Sequence, residues 1–315
     1  EHDYASWAAA PVRGTAALGQ HVLACGKCGA TTTSDDLSLL CPFCNAPIVA
    51  TPNAEQMIIP EGIVPFGLDR SKATAAILQW TRSRWFAPGD LKKVSAAERL
   101  NGTYVPHWTY DAETETSYTG LRGDYYYTTE TYTDSDGETQ TRTVQHTAWS
   151  PAAGQVGNSF DDVLVIASQQ IAPETISKLE PWTLNDAQPF QQAYLSGYRT
   201  LHYTVEPDLG LETAKQTRMV PEIEMTCRYD IGGDVQQVTS MNTRYSDVMF
   251  KLMLLPVWVA AYIYMGKTYQ VYVNAHTGQV VGERPYSKVK IFFAILGGLI
   301  LLAIFGYVYS RSKSR

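Results

Sequence analysis

The chain has 315 residues, enough for a full hydrophobic core and for more than one structural unit. An apolar share of 45% is ordinary for a globular protein, while 31 acidic against 25 basic residues leave a net charge of −6, which argues against a nucleic-acid partner. Twenty tyrosines and seven tryptophans form a high aromatic load, suited to strands and to membrane boundaries.

Residues 1–20 are an Ala-rich N-terminal segment without a signal-peptide pattern. Residues 21–50 hold four of the five cysteines, Cys25, Cys28, Cys41 and Cys44, in "CGKCGATTTSDDLSLLCPFC". Two C-x2-C pairs at this separation have the spacing of a four-thiolate zinc site. Each pair turns two sulfurs towards one ion, and the intervening segment suits two short strands, so a zinc ribbon with one structural Zn2+ is expected. Four sulfurs close the coordination shell and leave no position for a substrate. The competing reading is a dithiol oxidoreductase, which normally sits on a larger βαβ framework that nothing before Cys25 supplies. Zinc-holding thiolates imply a reducing compartment. Cys227, far from the others, reads as a core residue.

Residues 51–100 form a connector with helices. "DRSKATAAILQWTRSRWF" is helical, capped by Asp69 or Ser71, with Ala73, Ile77, Trp80 and Trp85 on one apolar side; Ser95 and Glu98 make a capping box for a second, short helix. Residues 101–287 read as an α+β domain rich in mixed antiparallel strands. Aromatic and polar residues alternate over 103–149, and Asp134-Ser135-Asp136-Gly137 marks a hairpin turn between two Thr/Tyr-rich arms. "DDVLVIAS" fits a buried strand or a helix. Helical pieces are expected over 173–180, around 186–195, and over about 208–230, the last interrupted by Pro221. Leu252 to Met265 reads as a core strand, followed by a meander with turns at Gly266-Lys267 and His276-Thr277-Gly278. Strand pairing between 104–149 and 256–283 would bury Trp108, Trp149 and Trp258.

Ile291 to Tyr309 is an uncharged run long enough to cross a bilayer, so residues 288–310 are expected to be a single transmembrane helix ahead of a basic tail, 311–315. The expected location is the cell membrane, single-pass, with the bulk of the chain cytoplasmic. No catalytic constellation stands out. Gly266-Lys267-Thr268 lacks the upstream glycine and the helix of a phosphate loop, the six histidines are scattered, Asp161-Asp162 has no partner acid or base, and Arg122-Gly123-Asp124 and "IGGD" at 231–234 read as turns.

The cysteine ribbon, "SRWFAPGDL", "YVPHWTYDAETETSYTGLRGDYYY", "FDDVLVIAS", "LEPWTL", "RYDIGGD" and the long block from "NTRYSDVMF" to "GERPYS" together resemble a bacterial family of zinc-ribbon membrane proteins. That family carries a TFIIB-type zinc ribbon and is often labelled primosomal protein N′ or replication restart helicase-like. The resemblance implies a partner of the SPFH (flotillin/stomatin-like) class and a role in membrane organisation or envelope stress. The reading is therefore a non-enzymatic, membrane-anchored adaptor, with the bilayer and an SPFH-type protein as partners and no nucleic acid or small-molecule substrate indicated. The alternative is a dithiol oxidoreductase or a nucleic-acid-associated, helicase-like subunit.

Overall fold

The computed structural model describes residues 1–10, 21–27, 31–34, 36, 38–41, 46–49, 58–82, 100–133, 135, 137–264, 267–282, 292, 295–302 and 304–305. A short strand, β1 (His2–Asp3), leads into helix α1 (Tyr4–Ala9), which Asp3 caps by accepting the Ser6 N–H at 2.8 Å. Strands β2 (His21–Ala24), β3 (Thr31–Ser34), β4 (Ser38–Leu40), β5 (Pro47–Val49) and β6 (Gly62–Ile63) follow. Helix α2 (Arg70–Arg82) starts at the expected cap. Asp69 accepts the Lys72 N–H at 2.9 Å and the Ser71 hydroxyl at 2.6 Å, and Ala73 and Ile77 are buried. Next come β7 (Leu100–Thr133), β8 (Thr139–Ile166), α3 (Pro173–Ser177), β9 (Gln188–Pro189) and β10 (Arg199–Thr200). Helix α4 (Pro207–Ala214), a π-helical turn (Lys215–Met219) and α5 (Val220–Ile231) form one helical run before β11 (Val235–Tyr264), β12 (Lys267–Asn274) and β13 (Val280–Gly282). The short helix expected at 95–100 lies outside the described residues except for Leu100, which begins β7.

Strand β7 organises everything else, and its sequence changes character along its length. From Gly102 to Tyr110 both faces are buried, in keeping with the bulky run "GTYVPHWTY". From Ala112 to Gly120 alternate residues are buried: Ala112, Thr114, Thr116, Tyr118 and Gly120 lie under α4 and α5, while Glu113, Glu115, Ser117 and Thr119 face outward. Beyond Asp124 neither face is covered. β8 pairs with β7 from Ile166 opposite His107 to Thr139 opposite Thr133, and β11 pairs along the other flank from Ala260 opposite Leu100 to Val235 opposite Gly123. "DDVLVI" therefore resolves as strand. Trp108 and Trp258 are buried, as expected from this pairing, but Trp149 stands 47% exposed because β11 ends at the level of its partner Gly123.

The first half of β11 was not legible as a strand. Two bulges break its alternation, one at Thr239 and one at Asp247, so the residues turned towards the helix layer run Val238, then Met241, Thr243 and Tyr245, then Val248 and Phe250. A strict period of two fails at each shift. Arg122-Gly123-Asp124, expected as a turn, lies inside β7, whereas Gly232 and Gly233 do make the turn expected at 231–234, with φ of 66° and 78°.

Pro221 does not interrupt the 207–231 helical run. Proline lacks an N–H, and its ring clashes with the carbonyl four residues back, here that of Thr217. The π-turn over Lys215–Met219 widens the helix at that point and lets it continue, so that Leu211, Ala214, Met219, Ile223, Cys227 and Ile231 stay on one buried face. Cys227 is a core residue, and burial pushes its thiol pKa up. The start of α4 is tied to the sheet by two aromatic donors: Trp108 Nε1 donates to the Val205 carbonyl at 2.8 Å, and the Tyr110 hydroxyl to the Pro207 carbonyl at 2.6 Å.

Three expectations are corrected. First, the architecture is mostly β. An α+β domain preceded by a separate ribbon was expected, but β1, β4, β5 and β6 all enter one eleven-stranded mixed sheet, with β1 and β6 on β11, and with β4–β5 reaching β7 through β10. Second, the zinc ribbon over 21–50 is not an independent unit. Its β2–β3 hairpin forms a two-stranded sheet, while β4–β5 is held to the main sheet by the Ser38 hydroxyl on Thr200 Oγ1 at 2.6 Å and by the Arg199–Asp36 ion pair at 2.6 Å. Third, among the described residues no helix is long and apolar enough to cross a membrane. The transmembrane helix expected over 288–310 is described only at 292, 295–302 and 304–305. The single-pass placement at a cell membrane rested on that helix and is withdrawn with it.

Close packing of α4 on the sheet gives a direct test. A Cβ on Gly210 would meet Trp108 Cδ1 at 2.8 Å and would collide with the Tyr110 hydroxyl. Gly210→Val should destabilise the fold by about 1–3 kcal/mol, read as a lowered urea midpoint with an unchanged m-value; Gly26→Ala, with nothing within 4 Å of its Cβ position, is the neutral control.

Candidate functional site

Of the four cysteines expected to ligate zinc, Cys25 and Cys41 are buried and pack with Ile48 in one small cluster, while Cys28 and Cys44 lie outside the described residues. Among the described residues, neither Cys25 nor Cys41 belongs to a group of three or more converging ligand side chains.

The group that does converge is Asp111, Asp161 and Asp162, with one ligand oxygen from each within 4.8 Å of the others. Asp161-Asp162, expected as a solvated loop, sits in a bulge of β8 opposite Asp111, whose carboxylate accepts the Asp162 N–H at 2.7 Å. Asp162 has φ of 53° and Asp247, in the β11 bulge on the other flank, has φ of 50°. Burial raises the Asp111 pKa, opposed by the Asp162 N–H and the nearby Lys251. The Lys251 ammonium lies 2.8 Å from Asp162 and 2.9 Å from the Glu1 carboxylate. Burial works against its charge, but the two carboxylates outweigh this and raise its pKa. The cluster thus already holds a protein cation and pins the sheet where both flanking strands bulge.

A different kind of site lies at the covered end of the sheet. A cleft of about 610 Å³ opens between the last residues of β8, helix α3, helix α4 and the π-turn. Its buried walls include His107, Val165, Ser168 and Ile176, and its exposed rim carries Leu209, Thr213, Thr217 and Arg218. The loop at its edge is fixed by the backbone: Ala167 N–H donates to the Pro106 carbonyl at 2.9 Å, and the Ala167 carbonyl accepts from Thr204 and Val205 at 2.8 and 3.0 Å. Arg218, placed by the widened π-turn, pairs with Glu180 at the rim. Such a turn inside a helix is often a functional feature, and here it lines the cleft.

His107 is the unusual residue of this site. It is 2% exposed, Nδ1 lies 3.0 Å from the Val105 carbonyl, and Nε2 has no hydrogen-bond partner among the described residues. Burial pushes its pKa down to about 4, against a weak opposing effect of the Val105 carbonyl. The sequence did contain a signal for it: a histidine in the middle of "TYVPHWTY", a run buried on both faces, has to place two polar nitrogens away from water.

The third feature is a projecting ribbon. Residues 124–133 of β7 and 139–148 of β8 extend beyond the end of β11 as two strands alone, roughly 30 Å long. Tyr125, Tyr126, Tyr127 and Tyr132 are exposed on it, and Trp149 stands at its base. The side chains are ordered by one another. Tyr126 stacks on His146 with centroids 5.2 Å apart, His146 Nε2 is 2.8 Å from the Thr128 hydroxyl, and Arg142 pairs with Glu130 at 3.0 Å while lying 5.7 Å from the Tyr132 ring.

No family model matches the chain, and no solved structure matches it significantly. A Bacillus subtilis (strain 168) protein described as "Uncharacterized protein YdjG" is 25% identical over 252 residues, which cover 78% of this chain and 70% of that protein.

The depressed His107 pKa has a consequence for stability. The unfolded chain protonates this residue near pH 6.5, the native fold only near pH 4, so stability falls as the pH drops through that window. Urea unfolding at pH 7 and pH 5 should show a loss of about 2 kcal/mol in the wild type that is absent from His107→Leu. Equal losses in both proteins would show that His107 titrates normally.

Proposed function

We propose that the protein is a non-enzymatic adaptor that docks on a partner protein through the 124–149 ribbon, the partner being the SPFH-type scaffold that the sequence resemblance implies. The observation that carries this reading is the ribbon itself. Two strands alone are marginally stable in water, and a ribbon needs no exposed tyrosines for its own pairing. Tyr127 is nevertheless 64% exposed, and three more tyrosines and Trp149 accompany it. Tyrosine and tryptophan supply large contact area at low conformational cost, and they are the residues enriched where protein interfaces concentrate their binding energy. The threonine-rich backbone between them favours extended structure and keeps the platform stiff.

The test uses the full chain and the SPFH-domain protein of the same organism. Replacing Tyr126, Tyr127 and Trp149 together by serine should weaken binding by at least about tenfold, while the melting temperature moves by no more than a few degrees, because these side chains lie outside the core. Undiminished binding by the triple variant would overturn the assignment of the ribbon as the docking surface.

A further inference from the structure

We propose that the cleft beside His107 is a binding site for an uncharged amphipathic small molecule, an aliphatic or alicyclic body carrying a hydroxyl group whose O–H donates to His107 Nε2. The inference rests on the cleft alone and is independent of the adaptor reading.

The direction of the hydrogen bond follows from the partner of the other ring nitrogen. A backbone carbonyl only accepts, so the contact of 3.0 Å to Val105 places the proton on Nδ1. Nε2 then presents a lone pair and needs a donor. The imidazole belongs to the cleft wall but is almost wholly buried, and Nε2 is without a partner among the described residues, so a ligand hydroxyl reaches it as the adjoining wall side chains shift. An acceptor left this way is costly, and a ligand hydroxyl removes the cost. An anionic headgroup offers no donor and would bring charge against the lone pair. A cation would have to shed its water to reach His107; of the two carboxylates that line the cleft, Glu180 is paired with Arg218 and Glu174 is exposed to solvent.

The rest of the ligand is set by the walls. Leu164, Ile166, Ile176 and Val205 line the cleft, and Leu209 stays 55% exposed on its rim, an apolar side chain that the fold itself leaves unburied. A volume of about 610 Å³ is within the range of small-molecule sites, and the polar groups are few, as such sites require.

The experiment titrates the full chain, labelled with 15N-histidine, with 1-decanol, and with decanoate and decylammonium as charged counterparts. Decanol should saturate the protein and move the His107 Nε2 resonance upfield, the sign of an accepted hydrogen bond, while leaving Nδ1 nearly unchanged. Decanoate, which has no donor for Nε2, and decylammonium, which has donors but must shed the water around its charge, should each bind at least about tenfold more weakly. His107→Phe should lose the preference for decanol. Because that substitution is in the core, Thr213→Trp on the exposed rim is the second variant, and it should block decanol while leaving His107 and the fold intact. Absence of decanol binding, binding with an unmoved Nε2 resonance, or equal affinity for decanoate would each overturn the proposal.

Discussion

The structure depends on one strand being paired on both flanks over most of its length. β7 is 34 residues long, with β11 along one side and β8 along the other, so every surrounding element takes its position from β7's register. A shift of one residue would turn Trp108, Tyr110 and Tyr118 away from the helix layer and bring the row Glu113, Glu115 and Ser117 beneath it. The register is therefore fixed by burial, and two aromatic side chains extend that constraint to the helices. Trp108 and Tyr110 bond the backbone at the start of α4, and α4, the π-turn and α5 then follow the covered face to the Gly232-Gly233 turn that feeds β11.

Long strands accumulate twist, and each bulge bends its strand and adds to the twist locally. The β8 bulge at Asp161-Asp162 and the β11 bulge at Asp247 sit at the same level of β7, on either side of Asp111. This is also the level at which one face of the sheet changes from covered to open. Lys251, half-buried against Asp162 and Glu1, supplies the charge that makes a carboxylate cluster tolerable there. The acidic group is thus accounted for as a structural joint.

The two ends of β7 consequently have different chemistry. At the covered end, helices and loops close around the sheet and leave a cleft floored by a neutral, buried histidine. At the open end, the strands run on without a third partner and expose their tyrosines. One sheet thereby carries a recess suited to a small molecule and a platform suited to a protein, with no nucleophile, acid–base pair or phosphate loop converging between them among the described residues.

Several features of this protein were determined by the sequence alone because they depend on near neighbours. The Asp69 cap and the Ala73/Ile77 face define α2, the Thr/Tyr alternation closes the hairpin, and the apolar run from Leu252 is a core strand. Other features depend on contacts distant in the chain, and only the tertiary structure decided them. The 235–251 strand is hidden by bulges that β7 imposes on its period, and Pro221 is absorbed by a π-turn because the helix is held to the sheet on both sides of it. The cysteine segment is divided because Ser38 and Asp36 find partners in Thr200 and Arg199, more than 160 residues away. The uncharged run near the end met the composition rule for a membrane span, whereas among the described residues no helix is long and apolar enough to cross a membrane. His107 shows the same division: its place in an apolar run was visible in the sequence, but its bare nitrogen and its cleft exist only where β8, α3 and α4 meet around it.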